Sequence, residues 1–245
     1  MIALTRTSSN LEQFSWSRDV EVIEMDICSG SVGHISGDGS SGLIHLAWGD
    51  LRNFNAASHY ENWLPNSYEF IKRLCHSGVE NVLVAGTCLE YGPQPGELAP
   101  DANCSPTTAY GYAKNSLRHQ LAFLQQSHEF SLKWGRIFYM FGQGQSDGSL
   151  IAQLDRAIEC REEVFNMSAG DQLRDYLPVT AAAKQLVDLY ESDKNIVANV
   201  CSGTPISVRA LVEAHIKRRK SDIKLNLGYF PYPEYEPMAF WGKVR

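Results

Sequence analysis

Short apolar runs that alternate with longer amphipathic segments constrain the fold of this chain more than any other feature. The apolar runs, in chain order, are IALT, VEVIEM, LIHLAW, VLVAGT and LKWGRIF. Apolar residues at helical spacing extend from about Tyr60 to His76 and from about Tyr110 to Gln126. Strands that are apolar throughout belong to a parallel sheet that is covered on both faces. The first part of the chain therefore predicts an α/β domain with a doubly wound parallel sheet.

The pattern changes after Gly142, where a second set of elements predicts a smaller C-terminal lobe. Strands are expected at VFNM and NVCSG, and the segment LRDYLPV lies between them. Helices are expected from about Ser149 to Glu159, from Thr180 to Ser192 and from Val208 to Arg219.

Charge and cysteine content exclude several classes of protein. The 245 residues carry a formal net charge of -6, whereas nucleic-acid binders need a basic surface to neutralise phosphates. No apolar run reaches the roughly 18 residues of a membrane span. The six cysteines form no CxxC pair, so neither a disulfide framework nor a zinc site is indicated. We predict a cytoplasmic protein that binds neither nucleic acid nor membrane and holds no metal.

The stretch TAYGYAKNSL places Tyr110 and Lys114 four residues apart on a predicted helix. Residues at i and i+4 share a helix face, so the phenol and the ammonium group can point into one cleft. A fixed ammonium lowers the pKa of a tyrosine from its ordinary ~10, which makes the pair an acid and base for an alcohol or ketone. Thr87 ends the run VLVAGT, at the strand end where open α/β sheets bind ligands. We predict that Thr87, Tyr110 and Lys114 are catalytic, with Thr87 donating to the substrate oxygen.

The segment GSVGHISG, residues 30–37, superficially resembles a phosphate-binding glycine loop. Its spacing is GxxGxxxG, and the next apolar run is the strand LIHLAW rather than a helix. Without a helix N-terminus there is no aligned set of N–H donors for a pyrophosphate. We interpret the segment as a flexible connection.

Together, the motifs resemble those of the extended short-chain dehydrogenase/reductases, specifically the nucleotide-sugar epimerases, dehydratases and 4-ketoreductases. VLVAGTCLEYG is similar to the strand that carries the catalytic Ser/Thr, and PTTAYGYAK is similar to the YxxxK helix. WGRIFYMFGQGQ resembles RxxNxYGPGQ, LRDYLPV resembles RDFIHV, and NVCSGTPISVRALVE resembles NIGSGxxxSVxELxE. The resemblance implies a Rossmann-like fold, NADP or NAD as cofactor and a nucleotide sugar as substrate. The implied reaction is epimerisation or 4-keto reduction in polysaccharide, O-antigen or lipopolysaccharide precursor synthesis.

The resemblance also implies binding residues. Leu46 and Ala47 would pass beneath the cofactor ribose, Asp26 and Ile27 would meet the adenine, and Asn62 would lie near the cofactor. The full set of implied cofactor contacts is Arg6, Asp26, Ile27, Leu46, Ala47, Asn62, Tyr110 and Lys114.

Two arginines carry separate expectations. Arg174, in LRDYLPV, would bind the diphosphate of the substrate through the several N–H donors of its guanidinium group. Thr87 would bind the sugar. Arg6 follows IALT, where an acidic residue would grip the ribose hydroxyls of NAD. An arginine there can pair with a 2′-phosphate, which favours NADP; a solvent-exposed arginine is the alternative.

Departures from the family pattern limit what the resemblance implies. The first strand and its GxxGxxG are absent from this sequence, so the dinucleotide-binding domain is expected to be N-terminally truncated and to lack the usual pyrophosphate site. Cys88 and Leu89 stand where dehydratases carry an Asp-Glu pair, which disfavours dehydration. Tyr139 replaces the family's usual asparagine. Glu90 replaces a residue that is more often apolar, and it can either pair within the cleft or face solvent.

The family pattern divides the chain into a truncated dinucleotide-binding domain (1–142, with a returning segment near 178–203) and a substrate-binding lobe (143–177 and 204–245). It also implies a homodimer formed through the two helices that begin near Tyr60 and at Tyr110. A C-3 or C-5 epimerase and a reductase of a non-sugar ketone remain alternatives. A catalytically inactive relative that acts as a binding or assembly protein is a further alternative.

Overall fold

The computed structural model describes residues 1–8, 11, 14–29, 41–232 and 237–244. The strands, in chain order, are β1 (Ile2–Thr5), β2 (Glu21–Glu24), β3 (Gly42–His45), β4 (Asn81–Thr87), β5 (Gly96–Leu98), β6 (Ser131–Ile137), β7 (Tyr139–Phe141), β8 (Val164–Asn166), β9 (Leu173–Arg174), β10 (Tyr176–Pro178), β11 (Ile196–Val200), β12 (Ile206–Ser207), β13 (Lys224–Asn226) and β14 (Phe240–Gly242). The α-helices are α1 (Leu64–His76), α2 (Ala109–Leu124), α3 (Leu150–Glu159), α4 (Val179–Tyr190) and α5 (Val208–Arg219). Short 3-10 turns lie at Ser15–Asp19, Ile27–Ser29 and Cys88–Glu90, and a π-helical turn lies at His59–Trp63.

Four parallel strands form the main sheet in the order β11-β6-β4-β3. The central strands β4 and β6 pair over seven residues and are almost entirely buried, as strands covered on both faces must be. α1 and α2 pack on one face, where Val84 and Trp134 join their apolar side chains. α4 packs on the other face against Leu83. This arrangement confirms the predicted doubly wound parallel sheet.

β1 and β2 form a separate parallel pair, with Ile2 opposite Glu21. Leu4 packs against the same apolar cluster as α1, yet neither strand contains a buried residue. The residue that follows β3 is also exposed to solvent, since Leu46 is 57% exposed. The segment GSVGHISG lies outside the described residues, so its interpretation as a connection stays a prediction.

The C-terminal part has an apolar cluster of its own, in which Leu154 of α3 and Val212 of α5 pack with Phe165 of β8. β8 pairs with β13, and β9 pairs with β12. The chain then returns to the first part, because β14 pairs with β5. The expected helices are present here, and α5 has the bounds that were predicted.

None of the helices within the described residues has the length and apolar composition that crossing a membrane requires. In the same part of the chain, no group of three or more His, Cys, Asp or Glu side chains is placed to hold a metal ion. The six cysteines all lie in the described part of the chain, and two of them, Cys88 and Cys201, are buried.

Candidate active site at the end of strand β4

Thr87 ends β4 and begins the candidate site. Its Oγ1 accepts a hydrogen bond from the N–H of Leu89 at 3.3 Å, and its own N–H donates to the carboxylate of Glu90 at 2.8 Å. This reciprocal cap turns the chain sharply at the strand end and holds the buried Thr87 hydroxyl in place. Gly111 lets the first turn of α2 approach, since a Cβ there would lie 2.4 Å from the carbonyl oxygen of Leu89. The turn and the helix start therefore meet.

Tyr110 lies in the first turn of α2, and the side chain of Thr87 is close enough to the phenol to act on its pKa. The side chain of Thr108 caps the helix by accepting from the N–H of Gly111 at 3.1 Å. The ring of Tyr110 stacks on Phe54 with centroids 5.6 Å apart, and its N–H donates to the carbonyl oxygen of Phe54 at 2.8 Å. Backbone and ring contacts together fix the direction of the phenol.

The pKa of Tyr110 is raised above its ordinary value. Burial is the main cause, the charges of Glu90 and Cys88 add to it, and the hydrogen bond with Thr87 opposes it. The sequence predicted a lowered pKa, so this prediction is wrong for the structure described here. The physical reason is that burial disfavours the phenolate more than its neighbours favour it.

Lys114 lies one helical turn beyond Tyr110 and is 1% exposed. Its Nζ donates to the carbonyl oxygen of Ala85 at 2.8 Å, and it lies 4.0 Å from the ring centroid of Trp48. Burial lowers the pKa of Lys114 to about 7, and the charge of Glu90 opposes this shift. The structure thus brings the three predicted catalytic residues together, while their roles stay predictions.

Glu90 ends the 3-10 turn that follows Thr87, and its side chain is fully buried. Its carboxylate accepts from Trp134 Nε1 at 3.0 Å and from Arg136 Nε at 2.7 Å, in addition to the N–H of Thr87. Arg136 is itself buried, and its Nη1 donates to the carbonyl oxygen of Pro100 at 2.9 Å. A buried carboxylate is costly unless it is paired and hydrogen-bonded. Of the two alternatives left open by the sequence, pairing inside the protein is the one observed.

An aromatic cluster around Tyr110, made of Trp48, Phe54 and His59, was missed by the sequence analysis. Trp48 Nε1 donates to His59 Nδ1 at 3.0 Å, and His59 Nε2 lies 2.9 Å from the carbonyl oxygen of Asn53. His59 is fully buried, and its ring centroid lies 5.2 Å from that of Tyr110. The sequence signal for this cluster was Trp48, the last residue of the apolar run LIHLAW.

The remaining residues predicted near the nicotinamide end are exposed to solvent. Leu46 and Ala47 follow β3 and are exposed. Asn62 lies on the exposed side of the π-helical turn, where its Oδ1 accepts from Asn66 Nδ2 at 2.7 Å. His59, on the same turn, faces the site instead. The cofactor roles of Leu46, Ala47 and Asn62 stay predictions.

The residues predicted to meet the adenosine half lie near β1 and β2. The exposed guanidinium of Arg6 lies 5.8 Å from the ring centroid of Trp63. Asp26 is exposed and accepts from the N–H of Cys28 at 2.9 Å, and half-buried Ile27 packs against the core. These positions leave their predicted roles open.

Arg174 is buried where β9 meets the C-terminal strand. Its guanidinium lies 4.7 Å from the ring centroid of Phe240 and 6.0 Å from that of Tyr139. Its Nη1 donates to the carbonyl oxygens of Leu173 at 2.9 Å and Met238 at 3.3 Å. Arg174 thus holds the C-terminal segment, and its contact with a diphosphate stays a prediction.

Comparisons with known proteins agree on one family. The NAD dependent epimerase/dehydratase family matches residues 2–201. The dTDP-6-deoxy-L-talose 4-dehydrogenase (NAD(+)) of Aggregatibacter actinomycetemcomitans is 32% identical over 201 residues, which is 82% of this chain and 74% of that protein. The family predicted from the motifs is therefore confirmed.

Solved structures support the fold. A UDP-N-acetylglucosamine 4-epimerase from Methanobrevibacter ruminantium M1, in complex with UDP-N-acetylmuramic acid, has a TM-score of 0.82 at 20% identity; the match covers 99% of this chain and 81% of that one. A UDP-glucuronic acid 4-epimerase from Bacillus cereus, in complex with UDP-glucuronic acid and NAD, has a TM-score of 0.78 at 16% identity; the match covers 99% and 82%. At these identities the likeness concerns the fold.

Proposed function

Because the chain belongs to the NAD-dependent epimerase/dehydratase family, we propose that it is an NAD-dependent enzyme that reduces or epimerises a carbon of a nucleotide-activated sugar. The observation that carries the proposal is the contact between Thr87 and Tyr110 at the end of β4, with Lys114 one helical turn away. The relative that is 32% identical is named for NAD(+)-dependent 4-dehydrogenation of dTDP-6-deoxy-L-talose. C4 of a dTDP-linked 6-deoxyhexose is therefore the substrate position that we favour.

The proton chemistry fits the reductive direction. With its pKa raised by burial, Tyr110 carries its proton at neutral pH and can donate it to a keto oxygen. The hydroxyl of Thr87, whose side chain acts on the pKa of Tyr110, would bind the same oxygen and orient the carbonyl. In the oxidative direction the phenol must first lose its own proton, which its raised pKa disfavours, before its oxygen can accept the proton of the sugar hydroxyl.

The residues present fit the nicotinamide end of the cofactor better than its pyrophosphate. Exposed Leu46 and Ala47 lie at the carboxyl end of β3, next to the strand that carries Thr87, and would hold the nicotinamide ribose. When bound, the nicotinamide supplies the hydride chemistry that the protein lacks. The sequence contains no GxxGxxG, the motif with which the family binds pyrophosphate. Lys114, the other residue proposed to contact that ribose, is 1% exposed and lies 4.0 Å from the ring centroid of Trp48.

The reaction is tested by mixing the purified chain with NADH and a dTDP-linked 4-keto-6-deoxyhexose, and with NAD(+) and dTDP-6-deoxy-L-talose. A reductase consumes NADH in the first mixture and forms it in the second. An epimerase leaves the NADH absorbance unchanged but converts the hydroxy sugar into its epimer, which NMR of the products detects. A folded protein that does neither with dTDP-, CDP-, GDP- and UDP-linked sugars supports the inactive alternative, which the comparisons do not favour.

Cofactor choice is tested by calorimetric titration with NADH and with NADPH. The named activity of the relative uses NAD(+), and we therefore favour NAD. The expectation of NADP from Arg6 stays a prediction, and tighter binding of NADPH would support it. Absence of binding by the folded chain would overturn the role that we assign to this polypeptide.

We also propose a homodimer through the outer faces of α1, α2 and the π-helical turn. Three large side chains are exposed there: Tyr60 at 43%, Tyr112 at 54% and Phe123 at 68%. The rings of Tyr60 and Tyr112 meet edge to face at 6.5 Å, so the apolar surface is continuous between the two elements. Light scattering after size exclusion tests this proposal, and a species of 27.4 kDa alone would contradict it.

The division into two lobes is likewise proposed. A dinucleotide-binding domain of residues 1–142, with its return near 178–203, agrees with the cluster around α1 and α2, and the substrate lobe agrees with the separate cluster of α3 and α5. Arg174 lies within the proposed substrate lobe, 6.0 Å from the ring centroid of Tyr139, and remains the proposed diphosphate contact. We expect the enzyme to act in the cytoplasm on precursors of polysaccharide or lipopolysaccharide, because its six cysteines are scattered along the sequence without CxxC pairs.

A further inference from the structure

The ammonium group of Lys114 is enclosed between two different kinds of partner. One N–H donates to the carbonyl oxygen of Ala85 at 2.8 Å, which leaves two further N–H groups. The indole of Trp48 lies 4.0 Å from Nζ to the ring centroid, well within the range of a cation–π interaction. With 1% of Lys114 exposed, the π face of Trp48 stands where water would otherwise solvate the charge.

The position of Trp48 is in turn fixed by His59. A carbonyl oxygen only accepts hydrogen bonds, so the 2.9 Å contact with Asn53 requires a proton on His59 Nε2. His59 Nδ1 is then free to accept from Trp48 Nε1 at 3.0 Å. A proton on Nδ1 would break the bond to Trp48. His59 is fully buried, which leaves its ring little freedom to turn.

We propose that Trp48, anchored by His59, is a positioning residue that keeps Lys114 charged and in place beside Tyr110. The inference rests on the proposed function and assigns a role to two residues outside the Thr–Tyr–Lys motif. A buried ammonium loses its proton readily, because burial disfavours the charged form. An indole face stabilises that form without competing for the proton, and the histidine fixes the angle at which the face is presented.

Other groups also act on Lys114 and must be separated from Trp48. Glu90, in the turn after β4, favours the charged form. Tyr110 lies on the same helix, with its ring centroid 6.0 Å from Nζ. His45, at the end of β3, is buried, and burial together with the charge of Lys114 lowers the pKa of His45 to about 3. His45 is therefore neutral in the pH range in which Lys114 titrates.

The test is a titration of the lysine side chains by 13C NMR on the chain without cofactor or substrate. The wild-type protein should show one lysine that titrates near neutral pH, and Lys114→Met should remove that signal. Trp48→Leu should lower its midpoint by about half to one and a half pH units, the range expected for loss of a cation–π contact. His59→Phe, which removes the acceptor for the indole N–H, should shift the midpoint in the same direction by less.

Trp63 offers a matched control. Its indole also donates a hydrogen bond, to Asp50 Oδ2 at 3.2 Å, and its ring lies 6.1 Å from that of Trp48. Trp63→Phe should therefore leave the titration of Lys114 unchanged, as should His59→Gln, because the glutamine amide retains an acceptor for Trp48. If Trp48→Leu does not fold, Trp48→Phe takes its place, with a smaller shift in the same direction.

An unchanged or raised midpoint in a folded Trp48 variant would overturn the proposal, and so would an equal shift in Trp63→Phe. Because the titration needs no substrate, its result is independent of whether the reaction proposed above is correct. In an active enzyme, the Trp48 and His59 variants should also move the pH profile of kcat, whereas a residue that only packs would lower kcat equally at every pH.

Discussion

The two ends of the proposed cofactor site are built in different ways. At the catalytic end, between β4 and α2, the polar groups are buried and paired: Glu90 and Lys114 are 0% and 1% exposed, and each has a partner inside the protein. At the adenosine end, β1 and β2 contain no buried residue, and Arg6 and Asp26 are exposed. The groups proposed to move protons are thus held inside the protein, whereas the side chains proposed to contact the adenosine half are exposed.

This difference predicts where substitutions matter. A buried polar network is sensitive to the loss of any member, because the partner left behind keeps its desolvation cost. Substitution of an exposed side chain on a short two-stranded pair should change the free energy of unfolding little, because water replaces the contacts that are lost. Changes at the catalytic end should therefore be large and changes at the adenosine end small.

The largest effect is expected for Tyr110→Phe. The change removes the hydroxyl that we propose exchanges a proton with the sugar oxygen, but it keeps the ring stacked on Phe54. Turnover should fall by about a hundred- to ten-thousandfold, the usual contribution of a positioned acid or base, with a near-normal melting temperature. Tyr112→Phe is the control, because Tyr112 lies on the same helix with 54% of its surface exposed. Retention of activity in Tyr110→Phe would place the proton transfer elsewhere.

A large loss of stability is expected for Glu90→Ala. The change leaves buried Arg136 without its carboxylate at 2.7 Å and Trp134 without its acceptor. Breaking such a pair typically costs about 3–5 kcal/mol, whereas an exposed residue such as Glu21 on β2 should cost within about 0.5 kcal/mol. Urea unfolding of Glu90→Ala and Glu21→Ala measures the contrast. Comparable losses for the two variants would remove the distinction between the two ends.

Lys114→Met should stabilise the protein while abolishing activity. The folded-state pKa of Lys114 is about 7, below its ordinary 10.5, so folding favours the neutral amine. The cost of charging it is absent above pH 10.5, grows as the pH falls and is complete below pH 7. At pH 6 the variant should gain on the order of 1–4 kcal/mol in the free energy of unfolding, and the gain should vanish in alkaline solution. A gain that does not change with pH would mean that burial of the charge is not its cause.

The sequence predicted the catalytic end well where one local pattern decides the structure. The apolar runs located β4 and β6, because central strands of a parallel sheet are buried on both faces. The spacing of Tyr110 and Lys114 placed them on one helix face, and the end of VLVAGT placed Thr87 beside them. Each of these inferences needs only the geometry of a single element.

The parts that were missed depend on three-dimensional neighbours. The direction of the pKa shift of Tyr110 is set by burial, which no spacing reports. The bond between Trp48 and His59 crosses a loop whose path the sequence does not reveal. Asn62 was predicted from the family resemblance, and its role stays a prediction. His59, on the same π-helical turn, is buried beside Tyr110, and no motif in the sequence singled it out.

The smallest effect, and the one that tests the adenosine end directly, is expected for Arg6→Ala. Arg6 is exposed and lies 5.8 Å from the ring centroid of Trp63, so its guanidinium can reach a phosphate only through solvent-screened contacts.

Exposed ion pairs contribute about 0.2–1 kcal/mol, which corresponds to at most roughly a fivefold change in the dissociation constant. If Arg6 meets a 2′-phosphate, calorimetry should show this loss for NADPH and none for NADH, with Asp26→Ala as a control of opposite charge. Equal losses for both cofactors would assign Arg6 to a part that they share, and no loss for either would leave it a solvent-exposed arginine. A loss much greater than fivefold would mean that the adenosine end closes on its ligand, so that the contrast with the catalytic end holds only for the free protein.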